Sequence, residues 1–169
     1  MKKILAIVDH VYEDLELWYP KIRLEEEGHE VVVAAPVAGE TYSGKHGYPC
    51  VSDAAIADMN SEDFDALLVP GGFAPDKLRR DPKVLSLVKE FNDAQKPIGH
   101  ICHAGWILIS ADVLRGRNTT STVGIKDDMN NAGGTWIDEA VVIDGNQIAA
   151  RTPKDLAPFS KALVDALKN

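Results

Sequence analysis

The chain is poor in cysteine and in long apolar runs, and each shortage excludes a class of protein. Two cysteines, Cys50 and Cys102, are too few for a disulfide scaffold and are expected as free thiols in a reducing, cytoplasmic setting. The apolar run Ile4 to Val8 ends at Asp9, short of a signal-peptide core, and no stretch is long enough to span a bilayer. Neither export nor a membrane partner is therefore expected. Positive charge is also scarce. Lys and Arg total 18 against 26 Asp and Glu, a net charge of −8, and no basic cluster is longer than a pair, so nucleic acid is not an expected partner. A G-x-G-x-x-G loop and a P-loop are both absent, and no cofactor is called for.

What remains is ordinary globular composition over 169 residues, enough for one domain, 1–169, with a sizeable core. Lys3 to Val8, Val31 to Ala35 and Ala66 to Val69 read as buried strands. Tyr12 to Glu27 carries Val11, Leu15, Trp18, Tyr19 and Ile22 at helical spacing and stops at Gly28. Lys83 to Ala94, with Pro82 at its first position, is a second helix. Pro97 to Ile101 is a fourth strand, followed by a helix over Ala104 to Ser110. Thr119 to Thr122 reads as β-prone and Asp127 to Gly134 as a polar turn region. Val141 to Ala149 is a hairpin turning at Asp144-Gly145, and a last helix runs from about Asp155 to Leu167. Alternating strands and helices give a mostly parallel sheet covered on both faces, with its site at the strand ends.

Cys102 falls where the fourth strand turns into a helix. Unpaired N–H groups at such a helix start favour the thiolate, so a nucleophile with a lowered pKa is the sharp expectation and a small core residue the alternative. Gly99 and Gly105, three residues to either side, suit a tight strand-to-helix elbow.

Glu13 and Asp14 are read as first-turn acids that complement the helix dipole. Glu16 is singled out because Pro20, four residues on, cannot donate the helical bond to its carbonyl. Either the helix kinks there or it begins at Pro20. In both cases Glu16 can face Cys102, protonated and donating to sulfur. The N–H groups of Gly72 and His103 would form an oxyanion hole, with a plain tight turn at Gly71-Gly72 as the alternative. His103 is expected to point away from the thiol it follows and to need an orienting carboxylate, for which Asp76, of the same or another subunit, is a candidate. His100 and Cys102 allow a metal site in principle, but too few ligands are visible for one. Cys50 is taken as structural.

Several stretches, in order, resemble the PfpI-type intracellular proteases, in the superfamily that includes the protein called DJ-one: Glu13-Asp14-Leu15-Glu16-Leu17, Gly44-Lys45-His46-Gly47-Tyr48, Pro70-Gly71-Gly72, Ile101-Cys102-His103 and Gly124-Ile125-Lys126-Asp127-Asp128-Met129. The resemblance runs end to end. It implies a flavodoxin-like three-layer α/β sandwich with a nucleophile elbow. By position it makes Cys102 the nucleophile, Glu16 its buried hydrogen-bonded glutamate, Gly72 an oxyanion donor and His103 the motif histidine. Asp76 falls where the family places that histidine's acidic partner, reached across a subunit interface and more often a glutamate. Two departures stand out: Ala104-Gly105-Trp106 replaces Gly-Pro-Gln, and Thr122 stands where a tyrosine is common. Trp106 is expected either to reshape the pocket or to pack in the core beneath the elbow.

The resemblance implies a Cys102-dependent stress enzyme acting on small reactive carbonyls, of the glutathione-independent glyoxalase or protein deglycase type. An oligomeric cysteine peptidase acting on peptides and a non-enzymatic oxidation sensor are the alternatives. A homodimer or higher homo-oligomer is expected.

Overall fold

The computed structural model describes residues 1–168. In chain order its elements are β1 (Lys3–Ile7), α1 (Asp14–Glu26), β2 (Glu30–Ala35), β3 (Thr41–Ser43), β4 (Pro49–Val51), β5 (Ala54–Ala55), β6 (Ala66–Val69), α2 (Ala74–Leu78), α3 (Pro82–Asp93), β7 (Ile98–Ile101), α4 (Gly105–Ser110), β8 (Asn118–Thr119), α5 (Lys126–Asn131), β9 (Thr135–Trp136), β10 (Val141–Asp144), β11 (Gln147–Ala150) and α6 (Leu156–Ala166). Short 3-10 turns join several of them.

Seven strands form the central sheet in the order β10-β11-β7-β6-β1-β2-β5, parallel throughout except for the β10–β11 hairpin. The uninterrupted apolar character of β6 and most of β1 follows from this arrangement, because parallel strands have helices on both faces and no wet side. Helices α1 and α6 pack together on one face, while α3 and α4 cover the other. This is the flavodoxin-like three-layer sandwich. The chain leaves β1 toward β2 and β5, then returns to place β6 on the other side of β1. The strand order therefore reverses between β1 and β6. Ligand sites in such sheets open at the carboxyl ends of the strands flanking that reversal. Here those ends carry the segment 8–16 and the turn Pro70-Gly71-Gly72, with Cys102 one strand further on.

Several expectations are refined or corrected. The stripe Leu15, Tyr19 and Ile22 is exposed, and α1 buries Asp14, Glu16, Leu17, Pro20 and Leu24 instead. The helix has apolar residues on both sides, so its spacing marks a helix without saying which side is covered. Pro20 lies inside a continuous helix that Glu13 caps through its own side chain, which accepts the Glu16 N–H at 2.9 Å. Asp127 to Gly134 largely belongs to α5 rather than to a turn region. One buried residue, Met129, anchors that short helix, too few for a period to be read. The hairpin turns at Gly145-Asn146, and the β-prone run near Thr119 extends only over Asn118–Thr119.

Candidate active site

Strand β7 is buried along its whole length and ends at Ile101 in extended backbone. Cys102 then takes φ +62°, and a 3-10 turn over Cys102–Ala104 leads into α4. A left-handed conformation costs a non-glycine residue on the order of 1–3 kcal/mol and survives only where its surroundings impose it. Side-chain volume explains the flanking glycines. A Cβ on Gly99 would lie 2.5 Å from Leu163 of α6, and one on Gly105 would lie 2.6 Å from the Met129 sulfur of α5. The elbow is thus wedged between two helices.

The segment 8–16 and the β6–α2 turn are joined by backbone bonds that bring Glu16 to the elbow. Glu13 N–H donates to the Gly71 carbonyl at 3.0 Å, and Phe73 N–H donates to the Val11 carbonyl at 2.8 Å. Val11, a β-branched residue, is itself held at φ +65°. Gly71 N–H donates to Glu16 Oε2 at 3.0 Å, while Glu16 Oε1 is sealed from solvent without a partner. Burial first, and then the charge of Glu13, raise the Glu16 carboxyl to about 8. Glu16 is therefore protonated at neutral pH, as expected. Its neighbour is the Cys102 thiol, to which the extra proton can be donated.

The expectation of a thiol pKa lowered by a helix end is overturned. Burial, and next the Glu16 charge, push Cys102 up to about 12, although the N–H groups of His103 and Gly72 oppose them by favouring the thiolate. A 3-10 turn leading into the six-residue α4 has too weak a dipole to offset that burial. Both N–H groups, the pair expected to form an oxyanion hole, lie close enough to act on the sulfur. Thr122 is nearby, its N–H donating to the Cys102 carbonyl at 3.4 Å.

His103 does not point away. The turn at Cys102 folds its ring back so that Nδ1 lies 3.4 Å from Sγ. Burial, and then the Lys45 cation, lower its pKa and keep the imidazole neutral. Asp76, by contrast, lies on α2 with a half-exposed side chain that accepts from Arg80 Nη2 at 2.6 Å. Within one chain it does not meet His103. Trp106 is not a core residue beneath the elbow, because its half-buried indole lies against His103 at the rim.

His100 is fully buried with Nε2 unpartnered, and burial lowers its pKa to about 4. It does not form a ligand group with Cys102. The side chains that do converge are Glu13, Asp14 and His46. Both acids there have structural duties: Asp14 accepts the His46 and Tyr48 N–H groups at 2.8 Å each, and Glu13 caps α1. Cys50 is buried on β4, and burial pushes its thiol up to about 11. The sequence assigns no role to Lys45 or Gly71, whose parts depend on segments far apart in the chain that no local pattern marks.

Glu16 and His100 make stability depend on pH with opposite signs. A buried carboxyl raised from 4.5 to about 8 favours the fold below its unfolded value, and that contribution is lost as pH rises through 8. A histidine lowered from 6.5 to about 4 stabilises above 6.5 and loses that contribution as pH falls through 4. Between pH 7 and 8 the Glu16 effect dominates, because His100 is neutral in both states there and the raised Cys50 and Cys102 thiols add their own fall only as pH approaches 9. Urea midpoints should fall over that range in wild type and stay nearly flat in Glu16→Gln, the Glu16 effect amounting to on the order of 4 kcal/mol in full. A parallel fall in both proteins would show that Glu16 is not protonated in the fold.

Comparisons with known proteins agree on one family. The model of the DJ-1/PfpI family matches residues 2–166. A deglycase of Pyrococcus horikoshii is 48% identical over 98% of this chain and 99% of its own length. The Bacillus subtilis protein YraA, whose name proposes a cysteine protease, is 41% identical over 99% of both. Among solved structures, an Anabaena variabilis protein with a DJ-1/ThiJ/PfpI-like and a ferritin-like domain superposes with a TM-score of 0.98 at 38% identity over 99% of this chain. The chain spans about half (48%) of that two-domain protein.

Proposed function

Because the chain belongs to the DJ-1/PfpI family, we propose that it is a single-domain, Cys102-dependent enzyme acting on small reactive carbonyls, of the deglycase and glutathione-independent glyoxalase type. The observation that carries this reading is the thiol at a strained elbow with a protonated carboxyl and two backbone N–H groups around its sulfur.

In this reading the substrate aldehyde enters at the strand ends. His103 Nδ1 takes the thiol proton as sulfur adds to the carbonyl carbon, and the new oxyanion is held by the Gly72 and His103 N–H groups. A proton from Glu16 or His103 completes a hemithioacetal. For methylglyoxal, the former aldehyde hydrogen is then removed as a proton and returned at the neighbouring carbon through an enediol. The resulting thioester is hydrolysed by water to lactate and free Cys102. Methylglyoxal should give lactate without added glutathione. No lactate from folded wild-type protein would exclude this reading.

A peptidase is the second reading, favoured by the name of the Bacillus relative. It predicts cleavage of unstructured peptides that requires Cys102. Asp76 enters the proposal only as a residue supplied by a neighbouring copy, after giving up its bond to Arg80.

We also propose a homodimer or higher homo-oligomer in a cytoplasmic setting. Leu15 and Ile22 of α1, with Trp18, Tyr48 and Pro49, line an apolar cavity of about 620 Å³ at the surface, and a second copy would cover it. Both cysteines are free, as a reducing compartment requires. Light scattering should show Ile22→Glu at lower mass than wild type. Equal masses would remove this face from the assembly.

A further inference from the structure

Among the described residues, no carboxylate orients His103, although its ring is well placed over the thiol; the histidine that meets an acid is His46, 3.8 Å from Glu13. What lies against the His103 ring is Trp106, with ring centroids 4.9 Å apart and planes 55° from one another. Trp106 is in turn held at two points. Its indole N–H donates to Asp128 Oδ2 of α5 at 3.1 Å, and the Arg79 guanidinium lies 5.6 Å from its ring centre. Arg79 is itself fixed, with Nε donating to Ser110 Oγ at 2.9 Å. Helix α5 and the residue that follows α2 thus hold one indole of α4, and the indole holds the imidazole.

We propose that Trp106, anchored by Asp128 and Arg79, is the positioning residue that sets His103 over the Cys102 sulfur in place of a carboxylate. This inference rests on the reading of Cys102 as nucleophile. An aromatic wall and a carboxylate both fix a ring, but they differ electrostatically. A carboxylate stabilises imidazolium strongly and raises the histidine's pKa, whereas an indole orients the ring and offers imidazolium only the weaker cation–π attraction. The ionisable groups around His103 are Cys102 and Lys45, with Arg79 and Asp128 beyond the indole. The cation among them that acts directly on His103, Lys45, disfavours imidazolium. His103 is thereby kept as a base, ready to take the thiol proton.

The test reads His103 and Cys102 directly and needs no carbonyl substrate, so a failed lactate assay leaves it intact. Imidazole ¹⁵N shifts of His103 are followed across pH, and the rate at which iodoacetamide alkylates Cys102 is measured by mass spectrometry, with Cys50 resolved separately. In Trp106→Ala, His103 should titrate nearer the ordinary histidine value, and alkylation at pH 7 should slow by about tenfold, the scale expected for a misplaced proton acceptor. Trp106→Phe should stay within about threefold of wild type. Should Trp106→Ala fail to fold, Asp128→Ala, at an exposed anchor, should show the same changes to a smaller degree. Unchanged His103 shifts and alkylation in Trp106→Ala, or in Asp128→Ala where only that variant folds, would overturn the proposal. So would Asp76→Asn reproducing the Trp106→Ala changes, since a carboxylate from another copy would then be orienting the ring.

Discussion

Cys102→Ala is expected to lower lactate formation from methylglyoxal by at least about 10³-fold while leaving the fold intact. Loss of a covalent nucleophile removes the adduct itself, and what survives is binding and the oxyanion donors acting on bound water. The fold should lose only slightly, because the buried Glu16 carboxyl is left without the thiol beside it. Cys102 sits at φ +62° in a half-buried pocket, and alanine removes a polarisable thiol from beside a buried carboxyl while changing little else. Glu16 would then lose the group its proton serves, so its titration is the structural signature to follow in the same variant. A thermal midpoint within a few degrees of wild type, together with lost turnover, is the predicted combination. Turnover retained within tenfold would remove Cys102 from the chemistry.

Gly72→Ala should be the most disruptive single-methyl change in the molecule. Gly72 adopts φ +85°, and a Cβ there would lie 2.5 Å from both the Glu13 nitrogen and the Val11 carbonyl oxygen, and 2.7 Å from the Tyr12 carbonyl carbon. All three are backbone atoms, so no side-chain rotation relieves the contact. The segment 8–16 and the β6–α2 turn must separate, which breaks the Glu13–Gly71 backbone bond and displaces both Glu16 and the Gly72 N–H. Destabilisation of about 3 kcal/mol or more is expected from the strained φ and the clash together. The fraction that remains folded should be slower in kcat by about 10²–10³-fold, the cost of a misplaced oxyanion donor. Equilibrium unfolding and kcat per folded molecule separate these effects. A stable protein with unchanged kcat would show that the turn yields freely and that its N–H takes no part.

These two residues also show how much the sequence revealed. Cys102 was legible because an elbow has local signals: a buried strand, a polar or small residue at its end, flanking glycines and a helix after it. Gly72 and Glu16 were legible because they end or follow strands that a parallel sheet must gather on one side. The ionisation of the thiol was not legible. A helix start argues for a lowered pKa, and burial, which only packing reveals, carries it the other way. The ring direction of His103 is not legible either, for a related reason, since it depends on the positive φ at Cys102 and on Trp106 beside it. The outward-facing stripe of α1 belongs to the same category: period locates a helix, while its neighbours decide which side is buried.

The central claim is that the Cys102 sulfur adds to a carbonyl carbon at this elbow. Incubating the protein with ¹³C-labelled methylglyoxal and following it by ¹³C NMR, with peptide mass spectrometry after borohydride trapping, measures that addition most directly. The account predicts a sulfur-bound adduct on Cys102 that forms before lactate appears, disappears as lactate accumulates, and is absent in Cys102→Ala. Lactate produced at the same rate by Cys102→Ala, with no adduct on Cys102 in wild type, would contradict it.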